Sequence, residues 1–187
     1  MIIDLLLREH RNIEKLLLVL ERELSVFDRG ERPDYEVIRA VISYFEVYPD
    51  AYHHRQEDLV FNKLRQHDPA AAAIVGDLAA EHRSGAERLR RVARAVEAVL
   101  ADRELLRQTV DDIIRDFIEH ERRDIAMEES YFFPAAAKAL HAEDWSEISS
   151  TLTDQKDPLF SDATEQRFDG VRKYILQLER EAEAERG

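Results

Sequence analysis

At 187 residues, 44% of them hydrophobic, the chain is long enough to bury a core as one soluble domain, and its 5 Gly and 5 Pro leave helix favoured almost throughout. A formal charge of -13, with arginines interleaved among acids, excludes the basic patch that nucleic-acid binding needs. With no cysteine, disulfides, thiolate metal sites and covalent haem attachment are excluded, so any metal is held by nitrogen and oxygen.

Breakers at "DRGERPD" (28–34), "HDP" (67–69), "ADRE" (101–104) and "HAED" (141–144) predict four long helical segments followed by shorter helical pieces. In the first segment Ile3, Leu6, His10, Ile13, Leu17, Leu20, Leu24 and Phe27 alternate spacings of three and four, the inward seam of a bundled helix. His10 therefore occupies a core position. Asp34 is a candidate N-cap for the second segment, whose seam runs Ile38, Ile42, Phe45, Pro49, His53, Glu57, Val60 and Leu64. Pro49 is expected to kink it just before "HHRQED". His53 and Glu57, spaced i, i+4, face inward together. His54 lies about 100° round the helix, either at its flank or reaching an ion from the side.

Asp68, with Pro69 at the first helical position, caps the third segment. Its seam is Val75, Leu78, His82, Gly85, Leu89, Val92, Val96 and Val99, with Gly85 leaving space beside His82. The fourth carries Val110, Ile113, Phe117, His120, Asp124 and Tyr131 on one stripe, with Glu128 one turn beyond Asp124. Glu14, Glu81 and Glu129 read as surface charges or outer partners of these polar groups. His67 and His141, at helix ends, read as solvated. After residue 141 Leu159, Phe160, Phe168, Val171, Tyr174, Ile175 and Leu178 are apolar enough to dock on the bundle, a dimer interface being the alternative. The expected organisation is a bundle over 1–140 and a helical extension over 141–187 packed on it.

Side chains on different helices meet only at equal height. Counted from turns near 31, 68 and 103, His10 and His53 are 21 and 22 positions from the first turn, His53 and His82 15 and 14 from the second, and His82 and Asp124 both 21 from the third. His120 is 17 from that last turn, about 6 Å off level. In an up-down-up-down bundle His10, His53, His82 and Asp124 therefore share a layer, with Glu57 and Glu128 in the adjacent turn. Burying such groups unpartnered costs about 2 kcal/mol or more each. The layer is expected to converge on a cation, a hydrogen-bonded polar network being the alternative.

The stretches "REHRNIEKLL", "HHRQEDLVF", "AAEHRSGAERL" and "ERRDIAMEESYFFPAAA" resemble the four helix signatures of the hemerythrin-like HHE cation-binding family, over roughly residues 1 to 140. The resemblance implies an all-α, up-down-up-down four-helix bundle around a non-haem di-iron centre bridged by carboxylates. By that likeness His10 matches the first-helix histidine, His53 and Glu57 the second-helix pair, His82 the third-helix histidine and Glu128 the fourth-helix carboxylate. Asp124 stands where the family pattern has a fourth-helix histidine, and the nearest histidine, His120, is one turn upstream. Ala86 stands where the family's oxygen carriers have a second third-helix histidine. The expected metal residues are thus His10, His53, Glu57, His82, Asp124 and Glu128, with His120 as the competing fourth-helix ligand.

The cofactor implied is iron, two ions, for which zinc or manganese can substitute. The function implied is binding or sensing a small diatomic ligand such as dioxygen or nitric oxide. A metal-free structural helical protein, and a di-iron redox enzyme acting on peroxide or nitric oxide, are the alternatives. Binding is preferred to catalysis because nothing in the sequence marks a substrate pocket. The N-terminus shows no basic leader followed by an apolar run and no stretch approaches a membrane span, so a cytoplasmic monomer or homodimer is expected, with no nucleic-acid or membrane partner.

Overall fold

The computed structural model describes residues 2–103, 105–152, 157, 159–160 and 168–184, except for the side chains of 50, 51, 169 and 178–184. The first predicted segment is one helix, α1 (Ile2–Asp28), and all eight of its seam residues are buried. The second is α2 (Tyr35–Val47), a π-helical turn π1 (Pro49–His53) and α3 (His54–His67). Asp34 caps α2, its Oδ1 accepting from the N–H groups of Glu36 and Val37 at 3.0 and 3.2 Å. The distortion expected at Pro49 takes the form of the π turn, which widens the helix immediately before the paired histidines.

The third segment differs from expectation. It divides into α4 (Pro69–Val75) and α5 (Leu78–Leu100) at Gly76, whose φ of 91° only glycine adopts without strain. Asp77 then caps α5 by accepting from the Ala80 N–H at 3.0 Å. Periodicity hid this break because Val75, Leu78 and His82 keep their spacing and burial across it. The fourth segment is α6 (Arg107–Met127), a second π turn π2 (Glu128–Phe132) and α7 (Phe133–Ala139). The π turn inserts about one residue into the register, so Phe132 and Phe133 take the core positions and Tyr131, expected in the seam, is 60% exposed.

α1 packs on α2 and α6, α2 on α5, and α5 on α6, so the four segments close a ring, with short turns making sequential neighbours antiparallel. Two apolar clusters fill it. One holds Leu6, Val60, Leu64, Leu78, Phe132 and Phe133; the other holds Leu17, Leu20, Ile42, Phe45, Val92 and Phe117. In every segment the passage between clusters is made by polar side chains: Glu9 and His10, His53 and Glu57, His82, then Asp124 and Glu128. A single polar layer therefore cuts the core at one height.

Beyond the bundle, α8 (Ala142–Thr151) packs on α3, burying Ile148. Asp144 holds its start, accepting from the His141 N–H at 3.0 Å and facing His67 Nε2 at 3.0 Å. His67, expected to be solvated, is thus partly covered against Asp144 at this helix end. α9 (Asp169–Ala184) lies on α1 and α2, and Leu159, Phe168, Val171 and Ile175 are buried in the second cluster with Phe160 and Tyr174 packed against it. Leu178, the remaining apolar contact expected there, lies outside the described side chains. No helix among the described residues is long and apolar enough to cross a membrane.

Candidate metal centre

The polar layer is built around two carboxylates. Glu57, fully buried, turns Oε1 to His10 Nε2 at 3.5 Å and His53 Nε2 at 3.2 Å, and Oε2 to His82 Nε2 at 3.3 Å. Glu128 does the same from the opposite side, with Oε2 3.3 Å from His10 Nε2 and Oε1 3.7 Å from His82 Nε2. Each carboxylate therefore has one oxygen toward the His10 side and one toward the His82 side. Three groups of donor atoms lie within 4.8 Å of one another: His10, His53, Glu57 and Glu128; His82, Asp124 and Glu128; and His54, Glu57 and His82.

Outer carboxylates orient the rings. His10 Nδ1 donates to Glu129 Oε1 at 3.0 Å, and His53 Nδ1 donates to Glu9 Oε2 at 2.8 Å, leaving each Nε2 aimed inward. Glu9 is itself fixed by the Tyr48 hydroxyl, which donates to Oε1 at 2.8 Å. Glu129, read from sequence as a surface charge or outer partner, is the outer partner. Glu9 was not singled out by the seam, but Ile2, Glu9, Leu16 and Glu23 form a second buried stripe of period seven, which is the signal that marks it.

The local electrostatics are those of crowded donors. Burial alone would lower the His10 and His82 pKa values, but Glu128 and Glu57 outweigh it and raise them to about 9 and about 10. Burial would raise that of Glu57, but His53 and the other two imidazoles hold it well below the usual carboxylate range. Asp124 is pushed up to about 7 by burial and then by Glu128, and Glu121, beside the same groups, up to about 8 by burial and the charge of Asp124. His54 is held neutral, its pKa near 3, by burial and by His82.

Whether this arrangement suits a cation is answered by its unpaired atoms. His10 Nε2, both Glu57 oxygens, His82 Nε2 and Glu128 Oε1 are sealed from solvent and face one another only across these long ion-pair distances, none of which closes to a well-formed hydrogen bond. Orphaned buried acceptors and donors of this kind are costly unless something between them is shared. Inward imidazole and carboxylate atoms without thiolates suit borderline and hard divalent or trivalent metals.

The family model of the hemerythrin HHE cation binding domain matches residues 1–136. The chain belongs to the hemerythrin HHE family. No curated protein and no solved structure matches it. The hemerythrin-type helix signatures sit where the geometry puts the polar layer: "REH" on α1, "HHRQE" across π1 and α3, "EH" on α5 and "DIAME" at the junction of α6 and π2. At the position where the sequence departs from the hemerythrin pattern, Asp124 groups with His82 and Glu128. His120 is buried elsewhere. A Cβ on Gly85 would lie 3.2 Å from its Nε2, which is buried without a hydrogen-bond partner, and its ring faces the Glu81 backbone, so it packs against α5 and joins none of the converging groups among the described residues.

Proposed function

We propose that this hemerythrin-family chain is a non-haem iron protein that holds two iron ions and binds or senses a small ligand such as dioxygen or nitric oxide. The observation that carries the reading is the way Glu57 and Glu128 each divide their two oxygens between the His10 and His53 side and the His82 side. A carboxylate serving one cation needs no such division. The proposed ligands are His10 and His53 at one position, His82 and Asp124 at the other, and Glu57 and Glu128 across both.

Bound iron would supply a Lewis acid with accessible one-electron chemistry for a diatomic ligand. The chain's own residues bind and shield: Glu9 and Glu129 hold the histidine rings in orientation, and the apolar clusters on either side of the layer exclude water. A cavity of about 240 Å³ lined by Phe45, Gly85, Ala86, Leu89, His54 and Glu121, among others, adjoins the layer and supports a small, weakly polar ligand. Three clefts of about 600, 680 and 340 Å³ are larger, but of the layer they reach only Glu9. Proximity to the donors makes the smaller cavity the relevant one.

The test is elemental analysis and optical spectroscopy of protein from iron-supplemented cells. About two iron per chain is expected, with near-ultraviolet absorption that changes on adding nitric oxide to the reduced protein. Protein that holds no iron and gains no absorption after anaerobic reconstitution would overturn the reading.

Two substitutions probe the ligand set. Asp124→Ala is expected to lower iron content more than His120→Ala, and Asp124→His to retain or raise it, measured by metal analysis after identical reconstitution. An Asp124→Ala protein that stays full while His120→Ala empties would reverse the assignment. Glu9→Ala frees His53 Nδ1 and the Tyr48 hydroxyl together, and is expected to weaken iron binding by about 10- to 100-fold. Competition with a chromophoric chelator measures that loss.

A further inference from the structure

We propose that His54, a residue of the second segment, supplies an imidazole to the second cation position, beside His82. The inference rests on the two-ion reading above. His54 follows π1 directly, and the widened turn lets His53 and His54 both turn inward, with ring centroids 5.7 Å apart. In an undistorted helix adjacent side chains diverge by about 100° and only one of the pair would face the layer.

The His54 ring lies against His82, with centroids 4.1 Å apart and planes at 16°. Its Nδ1 is sealed from solvent and has no hydrogen-bond partner, the same condition as the inward atoms of His10, Glu57 and His82. A donor atom of His54 lies within 4.8 Å of donor atoms of both Glu57 and His82. His54 thus reaches the group of donors that His82 shares with Glu57, a group that includes neither His10 nor His53.

Donor balance points the same way. The first position has the imidazoles of His10 and His53 between two carboxylates, whereas the second has only His82 against Glu57, Glu128 and Asp124. Adding His54 gives both positions two imidazoles. Ala86, one turn beyond His82 where a second third-helix histidine is absent, lines the same cavity as His54. The ring from α3 therefore approaches from the side that Ala86 leaves open, and the cavity ends on the position His54 completes.

Stoichiometry decides it. Protein stripped of metal is titrated anaerobically with ferrous iron, and in parallel with cobalt(II), whose visible bands report the donor set, for the wild type, His54→Ala and His54→Phe. The phenylalanine variant keeps a ring against His82 but has no donor nitrogen. The wild type is expected to take up two equivalents and both variants one, with the cobalt spectrum of the first equivalent unchanged and that of the second lost. Circular dichroism checks that both variants remain helical. Two equivalents in both variants with unchanged spectra would overturn the inference and leave the two-ion reading standing. Two in His54→Phe but one in His54→Ala would also overturn it, showing that the ring packs and does not coordinate. A wild type that takes one equivalent or none overturns the two-ion reading and the inference with it.

Discussion

Glu57→Ala is expected to empty the centre, weakening the binding of each ion at least ~100-fold, equivalent to about 2.8 kcal/mol per ion. Glu57 is fully buried, and its two oxygens face three imidazoles on three different helical segments. Among the described residues no other side chain lies within 3.5 Å of all three of the His10, His53 and His82 Nε2 atoms. Without it the rings confront one another across a buried gap with only Glu128 between His10 and His82. Glu9 and Glu129 do not replace it, because they are tied to the outer Nδ1 atoms. Chelator competition on the refolded variant measures the affinities, and binding within threefold of wild type would remove Glu57 from the centre. Glu129→Ala is the contrast: that side chain is 42% exposed and holds only the outer nitrogen of His10, so its loss should cost about tenfold.

The second large effect lies away from the metal. Phe168→Ala is expected to cost about 3–5 kcal/mol and lower the melting temperature by about 10 °C, without changing metal content. Phe168 is fully buried against Tyr44, edge to face at 5.9 Å, in a cluster that also holds Leu159, Val171 and Ile175 from the extension and Leu20, Ile42 and Phe45 from the bundle. Truncation there leaves a cavity in a core that the extension helps to close. Tyr44 adds a polar tie, donating to Asp157 Oδ2 at 2.8 Å, while Asp157 Oδ1 accepts from the N–H groups of Leu159 and Phe160. Differential scanning calorimetry of wild type and variant reads the effect. A loss under ~1 kcal/mol would mean that the extension is not part of the cooperative core.

Much of this architecture was legible because helices in a bundle obey one period. The seams of α1 and of the second segment are buried at every position named from spacing, and counting from the turns placed His10, His53, His82 and Asp124 at one height without any contact information. The same count set His120 off level, and the structure packs it on Gly85. Period fails where the backbone leaves the α-helix. Gly76 breaks the third segment without disturbing its seam, and π2 shifts the fourth by about one residue, so that Tyr131 points outward and Phe132 inward.

The sequence by itself determined the helical class, the inward stripes up to the π turn of the fourth segment and the level of the polar layer, because each of these follows from spacing along one helix and from the lengths between turns; the family was carried by its four helix signatures. Only the tertiary structure decided what the layer's atoms face. Which oxygen of Glu57 meets which ring, that Glu9 and Glu129 take the outer nitrogens, and that His54 turns inward beside His53 depend on side-chain rotation and on the widened turn at Pro49–His53. Those are set by contacts between segments far apart in the chain, such as Glu9 with His53 and His10 with Glu129, and a period of 3.6 residues holds no record of them.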